Sequence, residues 1–301
     1  MRRRVMSKRN KVILGYLLII LGISIPLYGF FKLSKDIIDG SSGYKSFMSS
    51  GMELDDHALD AIHDYNSSLS GDVAIVDPFA NDSYASDYSF LEDKDQVFAY
   101  LSIPKIDVME PVFLDASKKH LAMGVAHIEG TDLPSDKPGT RSVIAGHRGY
   151  YQAIMFWNLD KLANGDSVYL SWPNKTLEYK VVGSEIIKPW EWEKLDPISE
   201  KNMLTLLTCD PLTPPRKDRL LVNCTLVEDE KKVDVTEDKV EVASGVKGLK
   251  NGILAVTFVL ILLLVVFVWK LFRFVSGKDS GEKGSGRRRD RRKAGRKSSK
   301  K

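Results

Sequence analysis

The chain has 301 residues, of which 44 are Lys or Arg and 40 are Asp or Glu, so that its formal net charge is +4. Its length would hold two ordinary soluble domains, but two uncharged stretches are too long and too apolar for a soluble core. The composition therefore excludes a wholly soluble protein.

The two apolar stretches predict two transmembrane helices. The first covers residues 12–31, and as a helix its 20 residues would extend about 30 Å, the thickness of a bilayer's hydrocarbon core. It is longer than the apolar region of a signal peptide and no small-x-small cleavage motif follows it, which favours an uncleaved anchor. The second lies within residues 251–269, and its 18 uncharged residues from Gly252 to Trp269 are too many for an ordinary core helix.

The charged residues are distributed unevenly around these stretches. Residues 1–11 contain six Lys or Arg and no acid, and residues 270–301 contain 14 against three acids, which leaves 24 basic and 37 acidic residues between them. By the positive-inside rule both basic ends are cytoplasmic, and residues 32–250 lie outside the cell membrane. The basic tail predicts contact with anionic lipid, which beside a membrane span is favoured over nucleic acid.

The extracytoplasmic part changes in character along its length. Residues 32–96 are polar and rich in Asp and Ser, and they form an N-terminal segment. The short β-type runs that follow are separated by Gly, Pro, Asn and Asp, which indicates a mostly β barrel or sandwich with short helical turns at 160–162 and 199–202. Residues 231–250 are strongly charged and predict a solvated linker. The predicted strands are Phe98 to Ile103, Pro111 to Leu114, Ser142 to Ala145, Ser167 to Trp172, Thr176 to Val182, Met203 to Thr208 and Arg219 to Val227.

One of these strands leads to a cysteine. Cys209 follows the apolar run that starts at Met203, and a proline-containing loop comes directly after it. That loop, residues 210–218, leads to Arg219 at the start of the next apolar run, so that two strands joined by it would set Arg219 beside Cys209. A guanidinium beside a thiol can lower the pKa of the thiol, and it can donate to the oxyanion that forms when a thiolate attacks a carbonyl.

A histidine is placed in a similar way. His147 comes just after the β-type run that ends at Ala145, in a turn flanked by Gly146 and Gly149. Such a turn presents a side chain at the rim of a fold. Cysteine nucleophiles commonly pair with a histidine that is distant in sequence. We therefore interpret Cys209 and His147, together with the arginine after the loop, as candidate catalytic residues.

The remaining cysteine and histidines predict no second site. Cys224 lies five residues beyond Arg219, about 16 Å along a strand, which is too far from Cys209 for a disulfide. No His, Cys and carboxylate cluster has the spacing of a metal site, so neither a metal nor an organic cofactor is predicted. The histidines interpreted as structural or surface residues are His57, His63, His120 and His127.

Together these motifs resemble a known family, the sortases. The resemblance rests on Thr205 to Cys209, which matches the family's TLxTC signature, on Arg219 to Val222 after the loop, and on Gly139 to Gly149 around the histidine. It covers about residues 97–227. It implies a sortase-like eight-stranded β-barrel with short helices, which forms a catalytic domain over residues 97–230.

The same resemblance assigns roles to single residues. Cys209 would be the nucleophile, His147 the acid and base, and Arg219 the group that stabilises the oxyanion. Leu207 and Thr208, directly before the cysteine, would belong to the substrate groove.

Within the family, the chain looks most like class C, the pilus-assembling sortases, which usually have two spans and a basic cytoplasmic tail. Asp77, Pro78 and Phe79 resemble the lid of that class. By this resemblance Asp77 would engage Arg219 and Phe79 would cover the thiol. The Asp-Pro pair directly after Cys209 departs from the class C pattern.

The resemblance also implies a reaction. Cys209 would cleave an LPxTG-like sorting signal between Thr and Gly and pass the acyl group to an amine. The partners would be LPxTG-type surface proteins or pilins, and the amine would come from a pilin lysine during pilus polymerisation.

Two alternatives stay open from the sequence. A sortase of another subclass would anchor surface proteins to peptidoglycan, with a cell-wall precursor as the amine. A noncatalytic barrel tethered to the membrane would instead act as a scaffold for surface assemblies. Cleavage of a sorting signal separates the scaffold from both enzymes.

Overall fold

The computed structural model divides the chain into two units, residues 1–32 with 252–301, and residues 33–251. The predictions for the basic segment before residue 7, for residues 231–240 of the linker and for the tail after residue 277 lie outside the described residues. The described residues are 7–69, 75–80, 88, 91, 93–149, 153–227, 241–243 and 245–277.

The two apolar stretches lie in the long helices α1 (Lys8–Ser50) and α4 (Val246–Val275). Each helix contains a stretch long and apolar enough to cross a membrane by length and composition. In the first unit, Tyr16 of α1 lies against the rings of Phe267 and Phe274 of α4, at centroid distances of 6.4 and 6.3 Å. Many other apolar side chains of both helices are exposed, and a helix that is apolar all round without being buried in protein fits a bilayer.

The second unit is built on a closed barrel of eight strands. The strands are β1 (Ala99–Ile103), β2 (Val108–Phe113), β3 (Val125–His127), β4 (Thr140–Ala145), β5 (Ser167–Ser171), β6 (Thr176–Ile187), β7 (Asn202–Asp210) and β8 (Asp218–Leu226). They close in the order β1-β2-β3-β4-β7-β8-β6-β5, in which the pairs β2–β3 and β4–β7 are parallel. This architecture confirms the predicted mostly β fold and its eight-stranded barrel.

Strand β7 positions the candidate nucleophile. It is buried from Met203 to Cys209, and both of its edges are covered, because it pairs with β4 on one side and β8 on the other. A strand covered on all sides is encoded as a nearly continuous apolar run, which is the run seen in the sequence. Its alternate side chains point to opposite faces. Leu204 and Leu206 belong to the main core cluster, whereas Leu207 belongs to a second apolar cluster.

Three local features differ from the sequence prediction. Strand β3 was not predicted, because its three residues are too few to show an alternating pattern. Strand β6 continues to Ile187, beyond its predicted end at Val182. A bulge between Val181 and Gly183 reverses which face its side chains occupy, and this interrupts the alternating pattern in the sequence. At 199–202 the structure has a turn, closed by the Lys201 N–H on the Ile198 carbonyl at 3.1 Å, but the turn is not helical, because Glu200 has a φ of 64° and β7 starts at Asn202. The other predicted turn overlaps a 3-10 helix, Met155–Lys161.

The N-terminal segment packs against the barrel. Tyr44 and Phe47, on the part of α1 that belongs to this unit, contact the ring of Tyr100 at centroid distances of 5.7 and 5.2 Å. The next helix, α2 (Asp56–Ser68), buries Ile62 in the same core cluster. A polar sequence therefore shares the barrel's core, because each helix needs only one apolar face to do so.

A buried histidine ties the chain before β1 to the barrel. His120, on the short helix α3 (Lys118–Met123), is 2% exposed. Its Nδ1 lies 2.6 Å from Asp115 Oδ1, and its Nε2 lies 3.0 Å from Asp95 Oδ1. A neutral imidazole has one N–H, so both contacts are hydrogen bonds only when the ring is protonated. Burial opposes protonation, but the hydrogen bonds to the two carboxylates outweigh it and raise the pKa of His120.

We predict that His120→Gln destabilises the protein more at pH 6 than at pH 9. Because the folded pKa is raised, stabilisation by the imidazolium is complete below the unfolded pKa of about 6.5 and is lost as the pH rises through the folded pKa. Thermal unfolding of the full-length chain in detergent should show a loss of about 3 °C or more at pH 6. The exposed His57 provides the control, His57→Gln. An equal loss for His120→Gln at both pH values would contradict a protonated ring.

Candidate active site

The register of β7 with β8 places the candidate thiol and guanidinium together. In this antiparallel pair Cys209 is directly opposite Arg219, and the pairing continues for one more position, Asp210 with Asp218. The connecting loop is therefore 211–217, shorter than the predicted loop. Both Cys209 and Arg219 are buried, so the guanidinium acts on the thiol across little water.

The two cysteines face opposite sides of the sheet. Cys224 pairs with Leu204 and belongs with it to the main core cluster, whereas Cys209 is on the face of β7 that carries Leu207. Both thiols are free, as predicted. Burial raises the pKa of Cys224 to about 12, which makes it a neutral core residue.

The parallel pairing of β4 with β7 brings His147 level with the cysteine. The last paired residues are Ala145 and Leu207. Beyond them, Gly146 donates its N–H to the Leu207 carbonyl at 3.0 Å, and its own carbonyl accepts from Thr208 Oγ1 at 2.7 Å. His147 and Cys209 each lie two residues past the last pair. The end of β4 and the end of β7 thus deliver imidazole and thiol to the same edge of the barrel.

The position before the histidine requires glycine. A Cβ on Gly146 would lie 2.7 Å from the ring of Phe156 and 2.9 Å from Val125, closer than carbon atoms approach. Phe156 also donates its backbone N–H to the His147 carbonyl at 3.1 Å. The histidine turn is therefore held by close backbone contact as well as by the strand before it.

A short segment covers these groups. Asp77 accepts hydrogen bonds from Arg219 Nε at 3.2 Å and Arg219 Nη2 at 2.5 Å, a two-point ion pair between side chains that are both nearly buried. Pro78 follows, and Phe79 donates its backbone N–H to Asp77 Oδ1 at 3.1 Å. The ring of Phe79 lies 5.4 Å from the ring of His147, and the Arg219 guanidinium lies 5.3 Å from the same ring. Residues 77–79 thus contact two of the three candidate catalytic groups.

The covering segment also has an apolar attachment. Ile75 and Phe79 pack against the second apolar cluster, to which β4 contributes Val143, β7 Leu207 and β8 Leu221. This cluster lies on the face of the sheet that carries Cys209. The ion pair with Arg219 and the apolar contact with this cluster together hold the segment against the site.

The covered site holds its reactive groups in neutral form. Burial raises the pKa of the Cys209 thiol, Arg219 opposes that effect and Asp77 adds to it. Burial lowers the pKa of His147 to about 4, and Arg216 contributes in the same direction. At pH 7 the thiol is protonated and the imidazole is uncharged. Removing Asp77 and admitting water would shift both pKa values toward a thiolate–imidazolium pair.

The two residues before the cysteine are part of the buried structure while residues 77–79 lie over the site. Leu207 and Thr208 are fully buried, and the described partner of the Thr208 hydroxyl is the Gly146 carbonyl. Their part in a substrate groove stays a prediction, because a contact with substrate requires that the site first open.

The other histidines lie away from these groups. His57 and His63 are exposed. His127 is buried, and burial lowers its pKa to about 4; its Nε2 lies 3.1 Å from the Thr131 carbonyl oxygen and 3.0 Å from that of Asp132. No group of three or more His, Cys, Asp or Glu among the described residues could hold a metal ion.

Two arginines near the site did not stand out in the sequence analysis. Arg216, in the loop after β7, is close enough to affect the pKa values of both Cys209 and His147. Arg148 is buried and contacts the end of β7. The available sequence signal for Arg148 was its place directly after the candidate histidine.

Comparison with known proteins identifies the family. Residues 101–227 match the model of the sortase domain. Among solved structures, sortase C-3 from Streptococcus pneumoniae is 43% identical, with a TM-score of 0.59, and the match covers 62% of this chain and 90% of that one. The chain belongs to the sortase family.

This sortase matches its curated relatives over part of their length. Sortase A of Staphylococcus aureus is 35% identical over 125 residues, and sortase A of Bacillus anthracis is 29% identical over 117 residues. These matches cover 40% and 39% of the sortase described here, and 58% and 54% of the relatives. The chain therefore spans little more than half the length of these relatives.

Solved structures indicate the subclass. Sortase C-1 from Actinomyces oris is 34% identical, with a TM-score of 0.53, and the match covers 57% of this chain and 96% of that one. With sortase C-3 it supports the prediction that the chain is most like class C sortases.

We predict that Asp77→Ala increases the rate at which iodoacetamide alkylates Cys209. The substitution removes the partner of Arg219 and an anion that raises the pKa of the thiol, so the rate at pH 7 should rise. Alkylation would be followed by mass spectrometry on a Cys224→Ala background, which leaves one thiol.

Asp93→Ala is the matched control for this prediction, because Asp93, like Asp77, precedes β1 in the sequence, but its side chain is exposed. It should leave the alkylation rate unchanged. An unchanged rate in Asp77→Ala would show that the segment over the site does not restrict the thiol.

Proposed function

We propose that this sortase is a cysteine transpeptidase that cleaves an LPxTG-like sorting signal between Thr and Gly and joins the acyl group to a pilin lysine. The observation that carries the proposal is the strand register that sets Cys209 opposite Arg219, with His147 delivered to the same edge by the neighbouring strand. Sortases are cysteine transpeptidases, and these residue types supply what such a reaction needs: a nucleophile, a proton carrier and an oxyanion donor.

The first half of the reaction acylates the enzyme. When residues 77–79 move away, His147 takes the thiol proton and Cys209 Sγ attacks the threonine carbonyl carbon of the signal. Arg219, released from its carboxylate partner, donates to the oxyanion. The C–N bond to glycine then breaks, the glycine amine takes the proton from His147, and a thioester on Cys209 remains.

The second half transfers the acyl group. An uncharged lysine amine attacks the thioester carbon and gives a proton to His147. The C–S bond breaks, Cys209 regains the proton, and an amide joins the two proteins. Over the whole cycle one peptide bond is broken and one amide bond is formed, and Cys209 and His147 return to their starting protonation states. The reaction therefore needs no other reactant. Because the thioester conserves the energy of the cleaved peptide bond, no nucleotide is required.

The covering segment belongs to this proposal as a lid. Asp77 occupies the guanidinium that the oxyanion needs, and Phe79 lies against the imidazole that carries the proton. A substrate must displace both, which couples binding of the signal to exposure of the thiol. Such a device would limit hydrolysis of stray peptides.

The choice of a pilin lysine rests on solved structures of similar proteins. One of them is a sortase C from Streptococcus pneumoniae, 28% identical with a TM-score of 0.54, whose crystal structure provides insights into pilin substrate specificity. The two apolar helices fit the two spans usual in class C. The Asp-Pro pair after Cys209 and the sortase A relatives keep wall anchoring as the second candidate.

The proposed location is the cell membrane, with residues 32–250 outside and both termini in the cytoplasm. The lysines and arginines that flank the two apolar stretches support this orientation. In it, residues 97–230 form the catalytic domain and the basic tail meets the anionic inner leaflet.

We predict that Cys209→Ala abolishes covalent multimers of the pilin that carries the sorting signal, because no thioester can form. Cells expressing the full-length chain would be boiled in detergent and their surface proteins separated by size. The matched control is Cys224→Ala, the same substitution on the opposite face of the sheet, which should keep the multimers. If wild-type cells hold the signal-bearing protein as a monomer joined to peptidoglycan, wall anchoring replaces pilin assembly.

The orientation yields a separate prediction. Epitope tags at residues 1 and 301 should be protected when protease is added to intact protoplasts, and both should be digested after detergent is added, because positive-inside flanks keep the termini in the cytoplasm. An epitope placed in the charged linker should be digested without detergent. Digestion of either terminal tag in intact protoplasts would contradict a two-span topology.

A further inference from the structure

A buried arginine lies beside the active site without facing it. Arg148 is 3% exposed. Its Nη1 forms an ion pair with Asp210 and donates to the Cys209 carbonyl oxygen at 3.3 Å, and its Nη2 lies 3.2 Å from Asp160 Oδ1. Two of these partners end β7 and the third lies in the 3-10 helix that follows the histidine turn. One guanidinium thus joins three segments.

Backbone pairing alone stops short of the reactive residues. The last pair between β4 and β7 lies two residues before each of them, and Gly146 makes hydrogen bonds one step further on. His147 and Cys209 then follow on separate segments. Past them, the described link between the two segments is the side-chain pair of Arg148 and Asp210, each of which directly follows one of the reactive residues.

The chemistry of this link suits positioning better than stability. Buried ion pairs can often be replaced by apolar residues without loss of stability, so they are a poor means of merely holding a fold. A guanidinium, however, is a planar fork whose donors fix both the direction and the distance of their partners. Nη1 of Arg148 holds both the carboxylate of Asp210 and the carbonyl of Cys209, while Nη2 contacts the carboxylate of Asp160.

We propose that Arg148, acting through Asp210, is a positioning residue that sets the separation of Cys209 and His147 during acyl transfer. The inference rests on the proposed function, since it concerns the reaction of that same pair. Because Arg148 is buried away from substrate, its loss should lower kcat and leave KM nearly unchanged.

A purely electrostatic role makes different predictions. If only the positive charge near the thiol mattered, Arg148→Lys would behave as wild type, and Asp210→Asn, which removes an anion next to Cys209, would make the thiol more reactive. Positioning requires the fork and its partner, so both substitutions should make the thiol less reactive. The two roles therefore predict opposite signs for Asp210→Asn.

Arg141 offers a control for general destabilisation. It is buried like Arg148 and lies at the other end of β4, where its guanidinium donates to the Lys194 carbonyl and to Met203 Sδ. Arg141→Lys loses a buried guanidinium far from the thiol. Any effect that Arg148→Lys shares with it belongs to folding and not to the site.

The test measures the acylation rate of the full-length chain in detergent with an LPxTG peptide. Arg148→Ala, Arg148→Lys and Asp210→Asn should each lower kcat about 100-fold, the effect of a misplacement of about 1 Å, with KM changed by less than about threefold. Arg141→Lys should retain the wild-type rate. Because Arg148 and Asp210 act as one unit, the double variant Arg148→Ala/Asp210→Asn should lose no more than either single variant.

A readout without substrate separates this inference from the proposed function. On an Asp77→Ala background, in which the carboxylate no longer occupies Arg219, the alkylation rate of Cys209 at pH 7 should fall in Arg148→Lys and Asp210→Asn and stay constant in Arg141→Lys, whether or not any peptide is cleaved. Wild-type behaviour of Arg148→Lys, or faster alkylation of Asp210→Asn, would overturn the positioning role. Failure of the wild-type chain to cleave the peptide would instead refute the proposed function.

Discussion

The geometry of the active site depends on the two registers of β7. Its antiparallel register with β8 sets Cys209 opposite Arg219, and its parallel register with β4 brings His147 to the same edge. A shift of one residue in either pairing would turn the affected side chains to the other face of the sheet. The full burial of Leu204, Leu206 and the other apolar residues of β7 prevents such a shift. The packing that fixes the register of β7 therefore also fixes the geometry of the site.

The covering segment adds an electrostatic condition to that geometry. With Asp77 on Arg219 and Phe79 against His147, burial dominates the pKa values of thiol and imidazole and keeps both groups neutral. The same arginine that would stabilise an oxyanion is occupied by a carboxylate. The thiol is thereby held in a covered, protonated state, and under the proposed function the energy needed to activate it comes from binding a substrate.

Much of this could be read from the sequence, for identifiable reasons. The apolar run before Cys209 predicted a buried strand, and the loop after it predicted that Arg219 lies beside the cysteine. The short β3 and the bulge in β6 could not be read, since three residues show no period and a bulge depends on the partner strand. The contacts of Arg148 were equally hidden, because they join residues that only the parallel register brings together.

The central claim is that Cys209 carries the acyl group between cleavage and transfer. Intact-mass spectrometry of the full-length chain mixed with an LPxTG peptide, without an added amine, tests it directly. We expect that the protein gains the mass of the peptide's acyl part, that the gain maps to Cys209, and that hydroxylamine removes it, as it does with a thioester. Cleavage of the peptide without any adduct, or an adduct on another residue, would contradict it.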